Sequence, residues 1–434
     1  MIAVPQARKL CYSVLLIASV VGAVEADPTI FYEEQLTERR LVTWVLHLNP
    51  GIAELSAAAQ AAALSVEPAG ALDDLEFSYA FAPRTFDADH HGLNQKIELS
   101  QRIPWPGTLA AREQAAQLSA VAASENVAAM RMHVAALARG AFAEWYFAHQ
   151  ALAIHRSTHE LLNELHTATE TRYASGLALQ QDLLQVELEQ LHLRRHGLRL
   201  AKQKETAQAQ MNALLNRAPQ AYVPEPGPVS TPKNVAPLET YQERALAAHP
   251  ELLALDAQIG SHLAQVTVAE KAGWPDLRFT AGYNSLWDDP DKRPIIGISI
   301  NVPLNRSKRK SEVERANWEV RRTQSQLDNQ RSQMLGELAR AHAEVFESLE
   351  SIKLYENSLL PLADEFLDAA LADYQSGAGS FLSVITAEKH WLTAAEELER
   401  NRADYIRRVA ELDRWAGTTL LDSAIYGSEV NYEY

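Results

Sequence analysis

The chain has 434 residues and a net charge of −16, with 56 acidic against 40 basic side chains. Phosphate recognition needs a surplus of Lys and Arg on one face, so this balance excludes a nucleic-acid binder. A single cysteine, Cys11, leaves no pair for a disulfide or a Cys-ligated metal, and the long Pro-poor stretches of Ala, Leu, Gln, Glu and Arg favour long helices.

Arg8 and Lys9 precede an apolar run from Leu10 to Val24, and small residues follow, which reads as a secretory signal cleaved after Ala23 or Ala26. The run of roughly 15 apolar residues falls short of the ~20 that a transmembrane helix needs. Cys11 lies early in it, not behind a cleavage site where a lipid anchor would attach. An exported chain without disulfides must be held by packing and assembly.

Leu36 to Ser65 is Ala-rich with helical periodicity. The period then changes to two: Leu75, Phe77, Tyr79 and Phe81 alternate with polar or small residues. Ile97, Leu99 and Ile103, interrupted by Gln101, alternate with Glu98, Ser100 and Arg102, and Pro104-Trp105-Pro106-Gly107 ends the hairpin. Thr108 to Arg172 contains no proline, and as a helix it spans about 100 Å. Gly176 breaks it, and a shorter helix returns over Ala178 to Asn216. Stacked end to end with the Leu36–Ser65 helix, the returning helix restores the full span. Ala218 to Pro237, rich in Pro and Val, reads as a linker around the outside.

The same parts then recur. Leu238 to Ala272 is helical, Leu277 to Tyr283 and Ile296 to Val302 alternate as strands, Ser311 to Tyr374 runs outward with a kink expected at Pro361, and Phe381 to Trp415 returns. Tyr173-Ala-Ser-Gly176 with Asp182 and Glu187 is answered by Tyr374-Gln-Ser-Gly377 with Ser383 and Glu388, and Asn49-Pro50 by His249-Pro250. The chain is an internal duplication. It divides into a signal (1–26), a first repeat (27–217, hairpin about 75–103), a linker (218–237), a second repeat (238–417, hairpin about 277–303) and a tail (418–434).

Strands of about nine residues reach roughly 30 Å, the length of a tilted strand in a bilayer. Four strands cannot close a barrel, and each unpaired backbone group in lipid costs several kcal/mol, so a membrane reading requires a barrel shared between chains. The alternation also fits two soluble hairpins packed on a core. Glu98 with Arg102, and Glu76 with Arg278, are charge pairs expected on the polar face.

Taken together, the signal, the two hairpins, the two ~100 Å helical hairpins and the tandem Tyr-x-Ser-Gly turns resemble the TolC family of outer-membrane efflux proteins, over roughly Leu36 to Gly417. The resemblance implies a mainly α chain with a β-barrel contribution. Three copies would form a twelve-stranded barrel in outer-membrane lipid, continued by twelve helices as a periplasmic α-barrel. It implies partners too: the homotrimer, a periplasmic adaptor, and an inner-membrane pump of the resistance-nodulation-division type. The Ile103-Pro104-Trp105-Pro106-Gly107 stretch resembles the branch serving heavy-metal pumps. Tyr173, Ser175, Gly176, Tyr374, Ser376 and Gly377 match the turns at which the family meets its adaptor. Many members carry acidic residues six and nine positions after the second glycine; here Ser383 and Thr386 stand there, and Asp182 and Gln185 in the first repeat. Asp182, Ser383 and Thr386 are therefore the candidates at the entrance constriction.

Two histidine pairs have metal-ligand spacing, His155 with His159 and His192 with His196, each four apart on one helical face. In an antiparallel hairpin both pairs lie about 25 Å from the tip, where converging faces would make a four-histidine site. Surface histidines on a Glu- and Arg-rich helix account for the same spacing. His90 and His91 fall in the outer loop of the first hairpin. No phosphate loop, nucleophile elbow, dinucleotide fingerprint or His-Glu-x-x-His sequence is present, so neither an enzyme nor a cofactor is expected. The leading reading is a passive outer-membrane conduit; the alternative is a soluble periplasmic coiled-coil scaffold or adaptor.

Overall fold

The structure, a computed structural model, describes residues 35–82, 95–229, 235–287 and 289–418. The signal expected at 1–26 with Cys11, the histidines His90 and His91, and the tail from residue 419 lie outside the described residues.

The first repeat contains α1 (Glu38–Leu48), α2 (Pro50–Leu64), α3 (Val66–Gly70), strands β1 (Glu76–Phe81) and β2 (Gln95–Ile103), then α4 (Thr108–Ala174) and α5 (Gln180–Leu214). The second contains α6 (Leu238–Ala248), α7 (Pro250–Lys271), β3 (Leu277–Asn284), β4 (Pro294–Ile300), α8 (Arg306–Leu354), α9 (Leu360–Ser376) and α10 (Phe381–Ala416). α4 has 67 residues, about 100 Å of helix. Among the described residues no helix is long and apolar enough to cross a membrane.

The single helix expected over Leu36–Ser65 is two, because Pro50 has no N–H to continue α1. Asn49 ends α1 in extended backbone, and its side chain accepts from Gly51 N at 3.0 Å to start α2. His249 divides α6 from α7 in the same way, with Pro250 at the first helical position. These breaks are also joints. Asn49 Nδ2 donates to Leu214 O at the end of α5 (3.1 Å), and His249 Nε2 lies 3.1 Å from Arg414 O near the end of α10. Each returning helix thus abuts the helix that completes its span, and the pair runs beside a long one.

The outward helix of the second repeat starts at Arg306, five residues before the expected Ser311, because Asn305 caps it by accepting from Lys308 N. Pro361 produces no sharp break. Tyr355–Leu359 widens into a π-helical turn, which accommodates the missing N–H and the proline ring while α8 passes into α9.

The four strands form one antiparallel sheet in the order β1-β2-β3-β4, leaving β1 and β4 as open edges. The register places Phe77, Leu99, Ala281 and Ile296 in one row, and Tyr79, Ile97, Tyr283 and Pro294 in the next one on that face. That face is bare: Phe77 is 66% exposed, Ile298 66% and Ile296 90%. On the other face Arg278 donates to Glu76 at 2.6 Å and to Ser100 at 3.0 Å. The expected Glu98–Arg102 pair does not form. Glu98 pairs with Lys96 on its own strand, and Arg102 turns to Asp276 at 2.5 Å, because Asp276 lies just before β3, beside the end of β2.

Below the sheet α2 packs on α4, α4 on α7 and α7 on α8, so the helix layer repeats the order of the strands. Towards the far end α4 packs on α5 and α10, and α10 on α8 and α9. Three apolar clusters fill these layers, one around Trp145, Phe142 and Met211, one around Tyr241, Leu338 and Leu412, and one near the helical tips.

Candidate functional site

The tip turns follow from their glycines. Gly176 has φ 74° and Gly377 φ 83°, in the left-handed region that L side chains avoid, and no atom lies within 4 Å of where a Cβ would stand. Leu177 N closes the first turn onto Arg172 O at 2.8 Å; Ala378 N closes the second onto Asp373 O at 2.9 Å. Ser175 Oγ donates to Thr171 O and Ser376 Oγ to Asp373 O, capping the last carbonyls. Both serines are therefore parts of the turns.

The two tyrosines of the duplicated turn have opposite surroundings. Tyr173 is exposed. Tyr374 is buried in the tip cluster, its ring edge-on to Phe381 at 5.5 Å and beneath the Arg172 guanidinium at 4.8 Å, with its hydroxyl 3.4 Å from Thr169 Oγ1. Arg172 also reaches Gln375 O. Tyr374 thereby fastens the second hairpin to the first. A groove of about 680 Å³ lies between α4 and α9 here, lined by Asn163, Thr167, Arg172, Leu371 and Tyr374.

The constriction candidates use their polar groups locally. Asp182 accepts from Leu179 N at 3.2 Å, capping α5. Ser383 N donates to Ser380 Oγ, and the two hydroxyls lie 2.9 Å apart; Thr386 Oγ1 donates to Leu382 O. The acidic group that sequence position left unnoticed is one turn deeper. Glu388 is 2% exposed and has no hydrogen-bond or ion-pair partner among the described residues, whereas its repeat mate Glu187 is about half exposed near His166. Burial and the neighbouring Glu189 push the Glu388 carboxyl up to about 7, against a smaller opposite effect of Lys389. Lys389 instead bridges to Glu189 across the hairpins at 2.5 Å. Only the tertiary packing of α10 against α4 and α5 distinguishes Glu388 from a surface glutamate, and no sequence pattern marks that burial.

The histidines converge only in part. His155 and His196 stack at 6.1 Å, but His155 Nε2 lies 2.9 Å from Leu193 O, and His196 Nε2 is 2.8 Å from Glu396. Gly197 makes room for the His155 ring, since a Cβ there would stand 2.7 Å from Nε2. His159 lies 3.0 Å from the Asn163 amide, and His192 and His196 line one cavity of about 500 Å³ together with Glu189 and Glu388. Among the described residues no group of three or more His, Asp, Glu or Cys is placed to hold a metal ion. The four-histidine centre is not assembled: a backbone carbonyl holds His155, an amide His159 and a glutamate His196, which leaves His192 without the other three as co-ligands.

Residues 242–418 match the model of the outer membrane efflux protein family. The match covers the second repeat, and in that part the chain is similar to the family. The fold extends the likeness to the first repeat. VceC, an outer membrane protein of Vibrio cholerae, superposes with a TM-score of 0.73 at 18% identity over 88% of this chain and 96% of its own. CusC, whose structures describe transmembrane channel formation, gives 0.75 at 16% identity over 90% and 93%. The open-state outer membrane channel MtrE of Neisseria gonorrhoeae gives 0.70 at 16% identity over 88% and 89%. No curated protein sequence matches the chain.

Proposed function

We propose that three copies close one twelve-stranded barrel and that the assembly is the outer-membrane exit of a tripartite efflux system. The observation that carries this reading is the open sheet. It exposes one apolar face on all four strands and leaves β1 and β4 without outer neighbours, above helices of about 100 Å. A bare apolar face suits lipid, and the edges suit closure by sister copies, since lipid offers no hydrogen bonds to an unpaired backbone. The polar face, with Glu76, Arg278, Glu98 and Lys96, then lines the pore.

In this reading the tips meet a periplasmic adaptor at the turns containing Tyr173, Ser175, Gly176, Tyr374, Ser376 and Gly377, and Asp182, Ser383 and Thr386 flank the entrance. An inner-membrane pump of the resistance-nodulation-division type supplies the energy. The likeness of the Ile103–Gly107 stretch to the heavy-metal branch supports a pump of that type, with the cations as passing cargo. The domain division into a leader, two repeats, a linker and a tail belongs to the same reading. Purification from outer membranes after urea washing, followed by native mass spectrometry, tests it: a urea-resistant trimer is expected. A washed-off monomer would return the chain to the scaffold alternative. Deleting the gene beside a heavy-metal pump should abolish that metal resistance, and unchanged resistance would remove the metal branch.

A further inference from the structure

We infer that the seam between copies is latched by charge at the joint where strands become helices: Asp73 and Asp74 of one copy against Arg306, Lys308 and Lys310 of the next. The inference rests on the shared barrel proposed above and adds what selects and fixes the register of its closure.

The two borders of the chain's sheet-and-helix layer are continuous. On one side β1 lies above α3 and α2; on the other β4 lies above α8, and neither border has a neighbour within the chain. Their charges are opposite. Residues 50–76 contain five acidic side chains and no basic one, whereas residues 306–322 contain seven basic side chains against three acidic. A chain of net charge −16 has thus put a local excess of +4 on one border and −5 on the other.

Both groups also lie at the same height. β1 begins and β4 ends at the helix side of the sheet. Gln101 Nε2 donates to Asp73 O at 2.6 Å, and Ile103 and Ile300 share Leu277 as a partner, so Asp73 lies level with the last row of the sheet. Asp73 and Asp74 are exposed, and their carboxylates hold no hydrogen bond or ion pair among the described residues; Asp73 adds to the field at Arg102, which is already paired with Asp276. Across the sheet, exposed Val302 and Leu304 continue the apolar side of β4, and the cations begin two residues later at Arg306.

Those cations occupy the first turn of α8, where the helix dipole disfavours positive charge. The equivalent first turn of α4, Thr108-Leu109-Ala110-Ala111, is uncharged, so the fold does not require Arg306, Lys308 or Arg309; only Lys310 has a basic counterpart there, Arg112. Arg309 is answered by Glu312 at 2.8 Å. Lys308 lies 3.9 Å from the half-buried Glu312, which Arg309 already holds, Lys310 lies 3.7 Å from the exposed Glu314, and Arg306 has no partner among the described residues. A neighbouring copy's Asp73 and Asp74 would offset this local cost. The helix side of the seam is prepared in the same way: Ala53, Ala57, Ala61 and Leu64 form an exposed face on α2, small enough for α8 of the next copy to approach closely.

The test is reciprocal charge reversal in the full chain, read as trimer fraction on native gels of detergent-extracted membranes. Asp73→Lys/Asp74→Lys and Lys308→Glu/Lys310→Glu should each lower the trimer fraction at least tenfold, and the four changes together should restore at least half of it. The lysine variant is informative because glutamates in the first turn favour α8 itself, so a loss of trimer cannot come from a weakened helix. In a Cys11→Ser background, which has no other cysteine, Asp74→Cys with Lys308→Cys should give an oxidised ladder ending at three copies that collapses on reduction. Wild-type trimer fractions in both one-sided variants, or absence of rescue, overturn the latch. Intact trimers that lose binding to phosphatidylglycerol vesicles only in the lysine variant also overturn it and assign the cations to lipid headgroups. A wild-type chain that is not trimeric fails the barrel reading instead, before any variant is compared.

Discussion

At single residues, the two tip glycines and Glu388 show what sequence position did and did not disclose. Tyr-x-Ser-Gly turns announced left-handed glycines, and Gly176 and Gly377 have them. Because nothing crowds either position, Gly377→Ala should cost about 1 kcal/mol through the backbone alone. Gly336→Ala, in the middle of α8 with equally open space, should stabilise by up to about 1 kcal/mol. Thermal unfolding of the two variants should therefore shift in opposite directions. Glu388 was legible only as half of a repeated pair, because its burial comes from α10 packing against α4 and α5. Its raised carboxyl has a definite consequence for stability. Below about pH 4.5 both folded and unfolded chains carry the proton. Between that value and about 7 only the folded chain keeps it, so stability should fall by about 3 kcal/mol across this window and level off above it. Glu388→Gln should flatten that part of the profile in denaturant titrations at stepped pH; an unchanged slope would show that another group carries it.

Elements were legible where one period dominated. The strands appear within a residue or two of the alternation, because one face had to be apolar throughout and a slip of one residue would reverse every side chain. The breaks at Pro50 and Pro250 were less legible, since Asn49 and His249 act twice, as caps and as joints to α5 and α10. Pro361 was expected to kink a helix, yet a π-turn absorbs it. The histidine pairs were read by spacing alone, which cannot report that Gly197 and Leu193 O receive His155. For the strands, the exposed apolar face sets the prediction. Tyr79→Arg or Phe279→Arg should cost on the order of 2 to 4 kcal/mol if the face lies in lipid near the midplane. Outer-membrane trimer yield should drop, whereas Ser78→Arg on the polar face should be tolerated. Equal yields from all three would remove the lipid assignment of that face.

On the scale of the whole molecule, the helices and the sheet close their cores differently. The three apolar clusters are completed by helices of one chain, including contacts such as Arg139 with Glu38 and Asp413 that tie α4 to α1 and α10. The sheet leaves its apolar face largely exposed and has two open edges, so in the shared-barrel reading its stability comes from lipid and sister copies. The duplication made this asymmetry partly legible, because four alternating strands were too few to close while each long helix had a counterpart. What the sequence could not specify is the packing order α2-α4-α7-α8, which joins the repeats through α4 and α7. A chain held as a monomer by Tyr79→Arg should therefore keep slow amide exchange in α4, α8 and α10 and lose it in the strands, first in β1 and β4, whose outer backbone groups have no partner. Hydrogen exchange read by mass spectrometry resolves the two parts. Protected strand amides in the monomer would mean that the sheet is stable alone and needs no shared barrel, whereas loss of protection throughout would mean that the helical layers too form only on assembly.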